Sequence, residues 1–289
     1  VTQVTPDTLA PVLKDPAVNA LEFVGDFPNV VIQNRVGLVI DGSAATFGSV
    51  QLKLCTGLSW TGGDFRGGSW AGGLNLIGCK DVGVSALRYL GAGLDAGVTV
   101  RSSARVTVHD CQIERASVGV SMLESQSVVL RGCGVFGFAI DGCDIASCTD
   151  VLVEFNVFAG GMLKDAHHPD GLQGWTRRGG TQLARITVRK NQFAGPSQGS
   201  GFFDHGTGGG DAIVIEANDY CMGYPQAIAI QSDSHAAFTN CRITDNRVRT
   251  LPGSAMWARI NADPSVIRSG NVVEAYGTHA AIAEAPASG

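Results

Sequence analysis

One pattern recurs along this chain and restricts its fold more than any other feature. Six segments alternate apolar and polar residues and then turn at Asn or Cys: ARVTVHDCQI (104–113), QSVVLRGCGV (126–135), TDVLVEFNVF (149–158), LARITVRKNQF (183–193), GDAIVIEANDY (210–220) and TNCRITDNRV (239–248). Aligned on the turn they give Cys111, Cys133, Asn156, Asn191, Asn218 and Asn246, with Asn271 as a seventh, at steps of 22, 23, 35, 27, 28 and 25 residues. Period-2 alternation is a strand signal, and a repeat in the twenties with one residue type in register means stacked coils. Parallel coils rise ~4.8 Å each, so identical side chains lie on one another. Asparagine suits that position because its amide donates to one neighbour and accepts from the other.

The pattern predicts an all-β, single-domain right-handed parallel β-helix of about nine or ten coils spanning 1–289. A second strand set falls between the first: GVTVRS (97–102), VGVSML (118–123), FAIDGC (138–143), DGLQGW (170–175), GFFDHG (201–206), AIAIQS (227–232) and WARINA (257–262). Thr5–Asp15 reads as a short helix over the N-terminal end, where strand edges would otherwise be exposed. The 35-residue step marks an enlarged loop coil at 159–182, and 272–289 reads as a C-terminal tail. Cys111 and Cys133 sit in ladder positions, and no CxxC pair suggests zinc or redox chemistry.

A net charge of −5 argues against nucleic acid and anionic membranes as partners, and no apolar run is long enough to span a bilayer. The N-terminal residues lack a basic-then-apolar leader pattern, so export after leader removal and incorporation in a virion are both open. Either way the expectation is an extracellular or virion-surface protein, monomeric or homotrimeric.

The enlarged coil holds KDAHHPDGLQGWTRRGG, a polar knot in a bland chain, followed one coil later by GFFDHGTGGGD. Taking Val100, Val120, Ile140, Leu172, Phe203 and Ile230 as core, the next residues form one outward row: Arg101, Ser121, Asp141, Gln173, Asp204, Gln231 and, by extension, Arg259. In that row Asp141 and Asp204 stand two coils, ~9–10 Å, apart. One of Phe202 and Phe203 is expected to form a wall for sugar stacking.

The coil length, Asn ladder and N-terminal cap resemble the pectate-lyase-like β-helix superfamily of polysaccharide lyases, polygalacturonase-type hydrolases and phage tailspikes. Polygalacturonases carry Asn-Thr-Asp, Asp-Asp, Gly-His-Gly and Arg-Ile-Lys on successive coils; the counterparts here are AIDG, HPDG, DHG and ARIN. That resemblance points to Asp141, Asp170, His205 and Arg259. Pro169 stands where the family has a second Asp, Asp204 where it has a Gly, and Asn261 where it has a Lys.

The resemblance implies binding, and cleavage, of a polysaccharide expected to be acidic. Hydrolysis would draw on Asp141, Asp170, Asp204 and His205, with Arg177, Arg178 or Arg259 holding a sugar carboxylate. β-Elimination would instead take Lys164, His167 or His168 as base and Arg177 or Arg178 as the neutralising cation. Gln173, Gln231 and Trp175 complete the expected binding surface. No cofactor is required; a calcium ion would be held by Asp165, Asp170 and Asp204, whereas zinc on His167, His168 and His205 is disfavoured because adjacent histidines on extended chain point apart. A non-catalytic adhesin or virion spike is the alternative.

Overall fold

The computed structural model describes residues 1–67, 72–162, 168–204, 206–232, 237–274 and 281–283. It is a parallel β-solenoid of about ten turns, with one short helix. Each regular coil contributes three strands, and each strand pairs in parallel with its counterparts in the coils below and above. One face stacks Lys80–Ser85, Ala104–His109, Gln126–Arg131, Thr149–Glu154, Leu183–Arg189 and Gly210–Glu216. A second stacks the short strands Arg88–Leu90, Gln112–Glu114, Gly134–Phe136, Val157–Ala159, Gln192–Gly195 and Asp219–Met222. The third stacks Val98–Arg101, Val118–Leu123, Asp141–Ala146, Asp170–Trp175, Gln198–Asp204, Gln226–Ser232 and Arg259–Ala262.

The expected ladder is present. The amides of Cys133, Asn156, Asn191, Asn218 and Asn246 each donate to the side-chain oxygen of the next asparagine up the axis, at 2.8–3.0 Å. The chain reaches this ladder through left-handed residues, Asp110, Phe155, Lys190, Ala217 and Asp245, with φ of 53–57°. Left-handed backbone costs a non-glycine residue about 1–2 kcal/mol, which the ladder bonds offset. A second ladder escaped the sequence reading. Cys79 donates its amide to Ser103 Oγ, Ser103 to Ser125 Oγ, and Ser125 to Cys148 Sγ. All eight cysteines are free thiols.

The core is one continuous stack of inward side chains. At the N-terminal end the strands lengthen to Ala20–Gln33 and Val39–Lys53, and a cluster of Phe23, Phe27, Phe47, Trp60 and Phe65 fills the wider coil. Strand Thr2–Val4 pairs with Leu21–Phe23, and helix Leu9–Lys14 lays Leu9, Val12 and Leu13 against the core. At the other end Ala281–Ala283 pairs antiparallel with Val272–Glu274.

Candidate functional site

A column of glycines sets the shape of the third face. Gly97, Gly119, Gly142 and Gly171 follow one another in register, and a Cβ on any of them would lie 2.4–2.8 Å from the carbonyl oxygen of the residue above. Gly199 continues the column. No side chain fits so close an approach, so glycine is required here by contact between coils rather than by turn geometry. Gly171→Ala is expected to cost about 1–3 kcal/mol through overpacking, read as a lowered Tm.

Register then sorts the outward residues into three rows. The row before the glycine column runs Val118, Asp141, Asp170, Gln198, Gln226 and Arg259. The middle row runs Ser121, Asp144, Gln173, Gly201, Ala229 and Asn261. The last runs Arg101, Leu123, Ala146, Trp175, Phe203 and Gln231. The single row expected from the sequence is therefore corrected. Asp141 and Arg259 belong to the first row, Ser121 and Gln173 to the second, Arg101 and Gln231 to the third, and Asp204 lies one residue beyond it, paired with Ser232. Ile140, expected in the core, is exposed, and of the phenylalanines Phe202 is buried while Phe203 is half-buried at the surface. The error arose from counting at a fixed offset across loops of unequal length, where a one-residue slip exchanges the faces.

This register separates two predicted partners and joins two others. Asp204 ends its strand whereas Asp141 and Asp170 begin theirs, so Asp204 is roughly 20 Å from either along a face with ~3.3 Å per residue. That separation does not suit Asp141 and Asp204 as a cleaving pair. Asp204 Oδ1 instead accepts the amides of Thr207 (2.7 Å) and Gly208 (3.0 Å). Burial opposes its charge, but those amides outweigh it and hold the carboxyl below the ordinary range.

Asp141 and Asp170, on neighbouring coils, are in register, and Asp170 donates its amide to Asp141 Oδ1 at 2.9 Å. Asp144 joins them through a hydrogen bond to Asp141; it was missed because residues three apart on a regular strand face opposite ways. The Asp-Gly-x-Asp spacing, with Gly142 at the bend, was the signal available. Asp141 and Asp170 are buried and Asp144 half-buried. Burial, then repulsion from Asp141, pushes Asp144 up to about 9; the same causes bring Asp170 to about 8, with the Gln173 hydrogen bond opposing. Burial raises Asp141 too, but the Asp170 amide, Asp144 and His168 favour its charged form. Asp144 Oδ1 and Asp170 Oδ1 are buried without hydrogen-bond partners.

These shifts carry a stability consequence. Carboxyls raised above the unfolded value of 3.8 bind more protons when folded, so their contribution is full at low pH and is lost as pH climbs through about 8–9. Asp144→Asn should therefore leave Tm near that of the parent at about pH 4, and raise it at about pH 9 by roughly 3–6 °C for a gain of about 1–2 kcal/mol. Thermal melts across that range measure it.

A cleft of about 360 Å³ opens beside the trio, lined by His168, Gln173, Gln198, Phe203, Asp204, Gln226, Gln231 and Ser232. Its floor exists because the middle row shrinks to Gly201 and Ala229; the Phe203 ring lies over Gly201, within 2.3 Å of where a Cβ would be. Gln173 lines the cleft and donates to Asp170 Oδ2 at 2.7 Å, so it links cleft and trio. Gln198 Nε2 and His168 Nδ1 meet at 3.0 Å, and the His168 ring packs 5.4 Å from Tyr224. Trp257 is exposed, two residues before Arg259 in the chain. Tyr224 and Trp257 were not anticipated; alignment on the glycine column, which places Pro169 and Pro225 at one corner, would have found Tyr224.

The remaining predicted residues scatter. Trp175 is half-buried and adjoins Phe203 in the last row, Arg177 pairs with Glu124 at 2.6 Å, and Arg178 is exposed on the following turn. Lys164, Asp165, His167 and His205 lie outside the described residues. Among the described residues no group of three or more His, Cys, Asp or Glu has the arrangement of a metal site. No helix among them is long and apolar enough to cross a membrane.

No protein-family model matches the sequence, and neither does any curated protein. Solved structures do resemble the fold. PfbA, a surface adhesin of Streptococcus pneumoniae, aligns with a TM-score of 0.58 and 9% identity over 96% of this chain and 95% of its own. The enzymatically active domain of bacteriophage CBA120 tailspike protein 2 gives 0.62 and 10% over 93% of this chain, which spans 47% of the tailspike chain. An alginate lyase from Paenibacillus gives 0.54 and 14% over 91% of this chain and 98% of its own. The parallel β-helix fold expected from the sequence is thus shared with adhesin, tailspike and lyase structures.

Proposed function

We propose that this chain is a polysaccharide-binding β-helix, working outside the cell or on a virion surface, that hydrolyses glycosidic bonds at the third face. The observation that carries this reading is the trio Asp141, Asp144 and Asp170, in register and linked by Gln173 to the cleft. Acid–base cleavage needs one carboxyl that keeps its proton near neutral pH and one that does not. Asp170, at about 8, is the proton donor to the leaving oxygen. Asp141, raised by burial and relieved by the Asp170 amide and the Asp144 hydrogen bond, is the carboxyl assigned to activate water, and Asp144 is the protonated neighbour that donates to it. Phe203 in the lining and Tyr224 beside His168 offer apolar plates to sugar rings.

β-Elimination finds less support, because Arg177 is engaged by Glu124 rather than turned to the cleft. The test is incubation with a panel of polysaccharides, following reducing ends and the ultraviolet absorbance of unsaturated uronates. New reducing ends without that absorbance support hydrolysis. The absorbance would show elimination and remove Asp170 from its role; retention of a glycan without any product would leave a binding surface only.

A further inference from the structure

Resting on the reading of this face as a polysaccharide cleft, we infer that its substrate is an uncharged glycan, recognised through hydroxyl and amide groups, and not the acidic chain that the resemblance implied. Four carboxamides, Gln173, Gln198, Gln226 and Gln231, line the cleft, and among the described residues no Lys or Arg does. The lining does carry a carboxylate. Asp204 lines one edge, and Asp263 is buried behind Ser232, accepting both its amide (3.0 Å) and its hydroxyl (2.6 Å). The trio lies beneath Gln173. Arg259 stands one coil above Gln226, at the rim.

A uronate placed here would give up hydration beside the Asp204 carboxylate, and among the described residues the cleft lining offers it no Lys or Arg. An uncharged sugar meets no such penalty. The hydrogen-bonding balance points the same way. Gln198 is 3% exposed, its Nε2 is taken by His168, and its Oε1 is buried with no partner. Asp170 Oδ1 is likewise unpartnered. The Gln198 oxygen is an acceptor that needs a donor, and protonated Asp170 is a donor that needs an acceptor; sugar hydroxyl and acetamido groups supply both, where an ionised carboxylate donates nothing. Arg131 and Arg189 converge on the buried Glu154, and Arg105, Arg185 and Arg249 each hold an aspartate, while Arg259 stands at the rim outside the lining.

The test is affinity measurement with the full chain against galactomannan and chitin oligosaccharides on one side, and polygalacturonate and alginate on the other, at low and high salt. Uncharged chains are expected to bind at least about tenfold more tightly, with little response to salt because no ion pair is screened. Uronates bound as well or better, with affinity that falls as salt rises, overturn the inference while leaving the polysaccharide reading intact. No binding by any of the four takes down both. Gln231→Lys supplies the missing cation, so it should raise polygalacturonate affinity about tenfold. No gain would show that charge does not set the selectivity.

Discussion

Asp170→Asn is expected to lower kcat on any cleaved glycan by about 10²–10⁴-fold, the usual effect of losing a general acid. Substrate affinity should change little, because Gln173, Gln198 and Phe203 line the cleft whether or not Asp170 carries a proton. Stability should hold or improve, since the variant removes one of three mutually repelling buried carboxyls. The combination of lost turnover, retained binding and an unlowered Tm is what distinguishes a proton donor from a structural aspartate. A further readout is the alkaline limb of the pH–rate profile, which in the parent should fall near the Asp170 value of about 8. Turnover by the variant within a factor of a few of the parent would sink the assignment.

Asn191→Ala carries the largest expected cost in stability. Its Nδ2 donates to the Val153 carbonyl (2.9 Å) and to Asn218 Oδ1 (3.0 Å), while its Oδ1 accepts the amide and the Nδ2 of Asn156. Alanine removes four hydrogen bonds from a buried corner, although Asn218 Oδ1 keeps the Asn191 amide and Asn156 Nδ2 keeps the Leu130 carbonyl; only 1% of Asn191 is exposed for water to substitute. At about 1 kcal/mol for each bond lost, plus the penalty of buried groups left unsatisfied, the loss is about 4–6 kcal/mol. Denaturant unfolding at equilibrium measures it. A loss below about 2 kcal/mol would deny the ladder its role.

How far the site was legible follows from what each position had to satisfy. Asp141 stood out through the outward row and Asp170 through the resemblance of HPDG to the family's Asp-Asp motif, and both enter the trio. Asp144 did not, because the backbone bend that turns it beside Asp141 is invisible to a period-2 reading. Asp204 was drawn into the wrong partnership by a neighbouring His and a glycine-rich turn; its carboxylate in fact closes that turn.

The amino-acid sequence by itself determined the coil. Apolar alternation, the ladder from Cys111 to Asn271 and the spacing between them leave one way to satisfy the backbone, and that information is local and repeated. What only the tertiary structure decided is which residues of different coils stand together on the third face. That depends on the lengths absorbed by the intervening loops and on carbonyls approaching Gly97, Gly119, Gly142 and Gly171 to within reach of a single missing methyl. Contact between coils sets that register, and no count along the chain contains it.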